Sequence, residues 1–455
     1  MKTKIAIIGA GSAGLSALEH VRKQTDNYVI IDRGPLGTTC ARTGCMPSKV
    51  LINVAREFNV RKQFEKKGIY GADTVGNDIP AILGHVRTLR DFFTGMMVKN
   101  TRELAGKHLI EGDAQIITPH IIEVDGQHIE AEHIIIATGA SPFVPKPWHV
   151  FGNRILTSQT IFEQKDLPKR IAVIGLGAIG LEIGQALSRL GIEITGFNLD
   201  ETIGGLTDTD VNASLTKIIQ SDFNVHYGQA KIEESGNELV VSTQNTQVRV
   251  DAVLAAMGVV PNLQLLDSAK LGIKANAQGI PEFNSTTGQI ANGPMYIAGD
   301  ATGIKALLHE AQKEGSAAGA TALSGKAKST TPLVPLRIVF TDPEVMVVGA
   351  SYNELEKADF VTGMMDYAKQ ARAIIEGRNE GLLKLYASPD NGLLLGAEAV
   401  IPDASDIGHL LAFAIQQQAT VFDLLQMPFY HPTLLEGLDT ALKDVARKCT
   451  ASANT

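Results

Sequence analysis

The sequence predicts an α/β chain in which two strand–turn–helix units of the doubly wound kind precede a C-terminal α+β unit. Three observations carry this. The stretch IAIIGAGSAG (Ile5 to Gly14) recurs as IAVIGLGAIG (Ile171 to Gly180), an apolar run breaking into GxGxxG each time. Each copy closes on a second apolar run ending near a glycine, IIIATGA (Ile134 to Ala140) and VLAAMGV (Val253 to Val259). Beyond STTPLVP (Ser329 to Pro335), alternating runs such as RIVFT and EVMVVGA mix with two amphipathic helical stretches, the pattern of an α+β unit.

Composition bounds the function. The 455 residues exceed one ordinary domain, and 44% apolar residues supply ample core. A net charge of −8 argues against a nucleic-acid partner, which demands a basic patch. No apolar run reaches the ~18 residues that cross a bilayer, so no membrane partner is expected. The amino end imitates a secretory signal, but KIAIIGAGSAG reads better as a buried strand turning into a helix, and a cytoplasmic location is expected. In that reducing setting three cysteines make no structural framework.

Along the chain, Gly9 makes the tight turn, Gly11 lets backbone approach a pyrophosphate, and Gly14 lets the helix pack on the strand. The helix's N–H groups and positive end face the phosphates. Asp32 ends the next apolar run, YVIID, where a carboxylate can accept from a ribose hydroxyl. Cys40 and Cys45 then share one loop at the head of a helical insert. Zinc would need further close Cys or His ligands, and none accompanies them, so no metal site is expected. A disulfide needs the loop to turn back, which Gly44 allows. Pro47 suits a first helical turn and places Cys45 just before the helix's positive end, which favours a thiolate. Lys49 opposes that dipole, so a partner carboxylate or an electron-rich ring is expected beside it.

SPFVPKPW (Ser141 to Trp148) separates the two units. The second copy repeats Gly175, Gly177 and Gly180, but Asn198 stands where the first has Asp32. With no arginine beside it for a 2′-phosphate, NAD is favoured over NADP, which stays open. YIAGDATG brings Asp300 to a strand-to-turn element, as a ligand or merely a turn cap. In FYHPTLLEG, Thr433 to Glu436 fits a capping box, and His431 reads as a general base held by a carboxylate. The final CTASANT reads as frayed.

Together GAGSAG, TTCARTGCMPSK, IIIATGA, GLGAIGLEIG, MYIAGDAT, LLHEAQKEG, FTDPEVMVVG and HPTLLEG resemble the FAD-dependent pyridine nucleotide–disulfide oxidoreductases of class I. The resemblance spans essentially the whole chain and is strongest to dihydrolipoyl dehydrogenases. It implies two Rossmann-like domains: residues 1–146 for FAD with the redox-cysteine helical insert, and 147–262 for NAD(P). It further implies a return to the central FAD region over 263–328 and a C-terminal dimerisation domain over 329–455. FAD would lie on Gly9, Gly11, Ser12, Ala13, Gly14, Asp32, Arg33, Thr39, Lys49, Ala114, Thr138, Gly139 and Asp300. The nicotinamide nucleotide would lie on Gly175, Gly177, Ala178, Ile179, Gly180, Asn198 and Gly258. Cys40 would be the interchange thiol, Cys45 the charge-transfer thiol, and Lys49 would pair with Glu182. His431, oriented by Glu436, would serve the partner subunit of a homodimer.

The implied activity carries electrons from dihydrolipoamide, free or on a lipoyl domain, through Cys40 and Cys45 and FAD to NAD⁺. Glu19 and His20 stand where glutathione reductases carry arginines, which disfavours glutathione. Mercuric reductases end in adjacent cysteines and lack the histidine; this chain has Cys449 alone near its end and keeps His431. Departures from dihydrolipoyl dehydrogenases are Phe429, Val259, Asn198 and ARTG between the cysteines. The alternatives are therefore reduction of mercuric ion, a low-molecular-weight disulfide or a quinone, or a flavoprotein redox sensor with little turnover.

Overall fold

The computed structural model describes residues 1–325 and 332–449. The frayed end read from CTASANT lies, from residue 450 on, outside them, as do residues 329–331 of the proline-rich stretch. The chain forms two compact units: Met1–Pro47, His85–Phe143 and Gly258–Pro332 make the first, and Ser48–Gly84, Val144–Met257 and Leu333 onward make the second.

Among the described residues the first unit holds a seven-stranded sheet. Its order is Leu109–Glu111, Tyr28–Asp32, Lys2–Ile8, Gln127–Ile136, Ile121–Val124 and Ala114–Thr118, with Met295–Ile297 also paired to Gln127–Ile136. The central pairings are parallel, as crossover connections dictate. Side chains alternate between two cores. Ile5, Ile7, Ile30 and Ile135 pack with helices Ser12–Val21 and Leu308–Ser324 on one face. Ala6, Ile8, Ile31 and Ile136 pack with Ile122, Leu265 and Ile297 on the other. Both faces are covered, so the strands read as unbroken apolar runs rather than alternating ones.

The second unit repeats the scheme with Asn224–Tyr227, Glu193–Asn198, Arg170–Ile174, Ala252–Ala255 and Ile155–Leu156, all paired in parallel. Leu336–Val339, Glu344–Gly349, Leu394–Ile401, Leu382–Ala387 and Val361–Asp366 form an antiparallel sheet in the C-terminal segment. Helices Ala404–Gln416 and Glu436–Ala446 bury Leu411, Leu438 and Leu442 against it. The helical insert divides: helix Cys45–Val60 starts in the first unit, and Ser48–Gly84 belongs to the second. Among the described residues no helix is long and apolar enough to cross a membrane.

Candidate active site

Both glycine motifs have the same construction. Gly9 sits at φ +105°, and a Cβ there would lie 2.3 Å from the Ala137 carbonyl oxygen. A Cβ on Gly14 would lie 1.8 Å from the Gly9 carbonyl oxygen, so only glycine lets helix Ser12–Val21 sit against the turn. A Cβ on Gly11 would meet nothing within 4 Å. Gly11 is the N-cap of helix Ser12–Val21, whose first N–H groups have no intrahelical partner. Gly175, Gly180 and Gly177 repeat the three roles, with would-be Cβ contacts of 2.5 Å, 1.9 Å and none. Each cradle leaves room for a phosphate, so the residues present suit the pyrophosphates of dinucleotides such as FAD and NAD(P).

Asp32 holds the turn beside it. Its two carboxylate oxygens accept the backbone N–H groups of Ala10 at 2.6 Å and Gly34 at 2.7 Å, locking the glycine turn. Ser12 opens the helix, Ala13 is a buried residue of its first turn, and Arg33 is exposed next to Asp32 in the chain. Asp300 lies in the turn Gly299–Thr302, and burial pushes its carboxyl above the usual range. The Gly299 N–H donates to Glu314 at 2.8 Å. Burial, with Glu310 and Asp300 nearby, pushes the Glu314 carboxyl up to about 7. Gly315 brings its helix against Ala13, where a Cβ would lie 2.0 Å from the Ala13 carbonyl oxygen. The GDAT turn and the first glycine motif therefore converge. Thr138 and Gly139 are clamped by Asn262: Thr138 Oγ1 donates to its carbonyl at 2.7 Å, and its side-chain amide donates back at 3.0 Å. The Gly258 carbonyl accepts from Phe143 N–H at 2.9 Å. Ala114 is buried at the start of its strand.

Cys40 is half-buried in the single-turn helix Thr39–Arg42, whose first residue, Thr39, is exposed. Cys45 is exposed and is itself the first residue of helix Cys45–Val60. The sequence reading put Cys45 just ahead of that helix; the turn begins earlier because Pro47, third in the helix, needs no N–H donor there. Gly44 folds the loop back, since its would-be Cβ lies 3.4 Å from the Cys40 Cα. Thr38, two residues before Cys40, has φ +59° and ψ 147°. That region is essentially reserved for glycine, and a β-branched residue held there stores about 1–3 kcal/mol.

In the second unit Asn198 reproduces the lock that Asp32 provides in the first, accepting Leu176 N–H at 2.9 Å. Its amide donates to the carbonyls of Asp200 and Thr202 at 2.8 and 2.9 Å. Both amide hydrogens are thus engaged, and only an acceptor lone pair is left for a ribose hydroxyl. Ala178 opens helix Ala178–Arg189, and Ile179 and Gly177 are exposed.

Lys49 has both partners its position called for. Its Nζ lies 2.7 Å from Glu182 Oε2 and 4.6 Å from the centre of the Phe340 ring. Glu182 is buried, and its Oε1 accepts Phe340 N–H at 3.0 Å. His431 Nδ1 lies 2.9 Å from Glu436 Oε1, while Glu436 Oε2 accepts Thr433 N–H at 2.9 Å. Those two contacts, the backbone one first, hold the Glu436 carboxyl below its usual range. The expected capping box is only half formed: Thr433 Oγ1 donates to the Tyr430 carbonyl instead of capping the helix. His431 is exposed. It belongs to the second unit, and the two cysteines to the first. Sequence reasoning missed Thr38, Asn262 and Glu314; the stretches TTCARTGCMPSK and LLHEAQKEG, which contain Thr38 and Glu314, were the available signals.

Comparison with known proteins matches this construction. The profile of the pyridine nucleotide-disulphide oxidoreductases matches residues 3–315, and that of their dimerisation domain matches residues 335–442. A mercuric reductase of Lysinibacillus sphaericus is 29% identical over 96% of this chain and 81% of its own. Dihydrolipoyl dehydrogenase 2 of Haloarcula marismortui is 28% identical over 96% of each. Among solved structures, the Cu(II) complex of the HOCl-induced flavoprotein disulfide reductase RclA from Escherichia coli superposes with a TM-score of 0.85 at 21% identity, over 97% of this chain and 99% of that one. LpdA from Mycobacterium tuberculosis superposes with a TM-score of 0.83 at 25% identity, over the same shares. The two Rossmann-like domains and α+β dimerisation domain are thus the family's fold, and its cofactors are FAD and NAD(P). The chain belongs to the pyridine nucleotide-disulphide oxidoreductases, flavoprotein enzymes with a dimerisation domain.

Proposed function

We propose that the protein is a dihydrolipoyl dehydrogenase-type enzyme, oxidising a small or lipoyl-bound dithiol with NAD⁺ as final acceptor. The observation that carries the reading is the His431–Glu436 pair at 2.9 Å. Dithiol oxidation begins with loss of a proton, because the thiolate is the nucleophile. With Nδ1 turned to the carboxylate, the neutral imidazole presents Nε2 as acceptor. In a homodimer His431 of one subunit serves the cysteine pair of the other: the resulting thiolate attacks Cys40 Sγ there, the Cys40–Cys45 bond breaks, and Cys45 leaves as a thiolate. The substrate's second sulfur then displaces Cys40. The products are the oxidised substrate, one proton on His431, one on Cys40, and an electron pair on the Cys45 thiolate. Lys49, neutralised by Glu182, places a held cation four residues further along the helix. FAD, on the first glycine motif, Asp32 and Asp300, supplies when bound the two-electron acceptor linking the thiolate to NAD⁺.

A second reading rests on the relatives, which include mercuric reductases at the same level of identity. Steady-state rates separate the two: dihydrolipoamide with NAD⁺ against Hg²⁺, Cu²⁺, oxidised glutathione and a quinone, each with NADH and NADPH. Dihydrolipoamide oxidation that outpaces every reductase reaction and collapses in His431→Ala supports the proposal. Metal-ion reduction that is faster and indifferent to His431 overturns it.

A further inference from the structure

The loop that carries Cys40 contains a residue in the wrong conformation for its side chain. Among the described residues, the non-glycine positions with positive φ are Thr38, Asp125, Ala291, Asn292, Asp403 and Gln418. Thr38 alone of these is β-branched, and its ψ of 147° puts it where even asparagine and aspartate gain nothing. Glycine would adopt this backbone without strain; what threonine adds is a hydroxyl. Its Oγ1 accepts the Ala41 N–H at 3.3 Å, capping the turn Thr39–Arg42.

Further contacts hold the same turn. The Thr43 N–H and Oγ1 both donate to the Thr39 carbonyl, at 2.9 and 3.4 Å. Arg42 Nη1 donates back to the Pro35 carbonyl at 2.9 Å. Gly37, at φ +119°, lies so close to Thr94 that a Cβ there would fall 2.7 Å from Thr94 Cγ2. A single helical turn has no stability of its own. Its shape depends on these end contacts, and Cys40 is its second residue.

We infer that Thr38 is a positioning residue for Cys40: its hydroxyl cap, kept at the expense of a strained backbone, fixes the direction in which the Cys40 sulfur meets an incoming thiolate. Displacement at a disulfide needs near-collinear sulfur atoms, so a loosened turn slows the step without weakening substrate binding. The inference rests on the proposed role of Cys40 as the interchange thiol.

The test uses the FAD-loaded protein. In the wild type, two-electron reduction followed by iodoacetamide and peptide mass mapping reports which cysteine is labelled first. Labelling of Cys45 ahead of Cys40 refutes the assigned role of Cys40, and with it this inference, before any variant is made. Given Cys40 labelling, flavin reduction by reduced lipoamide is followed by stopped flow in Thr38→Ser, Thr38→Ala and Thr38→Gly. The limiting rate is expected to fall about 10-fold or more in the Ala and Gly variants, with the half-saturating dithiol concentration unchanged. Thr38→Ser, which keeps the cap, is expected to retain the wild-type rate. Thermal unfolding of Thr38→Gly should be no lower than that of Thr38→Ala, because glycine relieves the φ. Wild-type limiting rates in Thr38→Ala refute the positioning role, even if Thr38→Gly proves unstable. A rise in half-saturating concentration with the limiting rate preserved refutes it as well.

Discussion

Glu436 holds His431 with one carboxylate oxygen and the Thr433 backbone with the other, each at 2.9 Å. One side chain therefore fixes both the imidazole and the chain that carries it. Loss of the base, in His431→Ala, is expected to lower dithiol turnover about 10²–10⁴-fold. Glu436→Gln should slow turnover less, since the amide still accepts one of the two N–H groups. The Glu436 carboxyl is held below its usual range, so its contribution to stability is full above the ordinary glutamate value of 4.5 and is lost as pH falls through the lowered value. Melting temperatures of wild type and Glu436→Gln, compared across acid pH, should converge on that descent.

Glu182 joins Lys49 and the Phe340 backbone in the same way. Glu182→Ala leaves a half-buried ammonium and a backbone N–H without their acceptor, and should lower stability by about 1–3 kcal/mol in urea titration. Glu182→Gln keeps an acceptor for Phe340 and should lose less.

The glycine motifs give a sharper contrast. Gly14→Ala drives a methyl into the Gly9 carbonyl and should impair folding. Gly11→Ala meets no protein atom within 4 Å, so it should fold, with unchanged far-UV circular dichroism, yet retain less FAD after gel filtration.

Asn198 offers no free donor, and Asp200 and Glu201 are exposed beside it. A 2′-phosphate there would find acceptors and negative charge. Calorimetry should show ADP-ribose binding at least about 10-fold more tightly than its 2′-phosphorylated form. Asp200→Asn with Glu201→Gln should narrow the gap.

Glu314 titrates in the opposite sense to Glu436. With its carboxyl raised to about 7 by burial, the folded state favours the protonated form. Its contribution is full below 4.5 and is lost as pH rises to about 7. Relative to Glu314→Gln, the wild type should lose melting temperature across that window and run parallel above it.

The strands and glycine turns were legible because buried parallel strands and Rossmann turns each demand one residue type at one spacing. The partners of Lys49 were legible for a related reason: a cation in a first helical turn needs an explanation. What escaped was conformation that propensity does not encode. Thr38 reads as an ordinary loop threonine until its φ is known. The Thr433 capping box was misjudged because a hydroxyl can equally donate to a nearby carbonyl, and sequence cannot say which it does. Asn198 is legible as the counterpart of Asp32, but the use of its donors by its own loop is a matter of three-dimensional closure.

The pairing of Met295–Ile297 with Ile134–Ile136 has a consequence for biosynthesis. A ribosome releases Ile134–Ile136 long before it makes the strand that seals them, a delay of roughly 10–30 s at ~5–20 residues per second. Throughout that interval the nascent chain exposes an apolar, unpaired edge, so a truncation ending between Ile136 and Met295 is expected to aggregate.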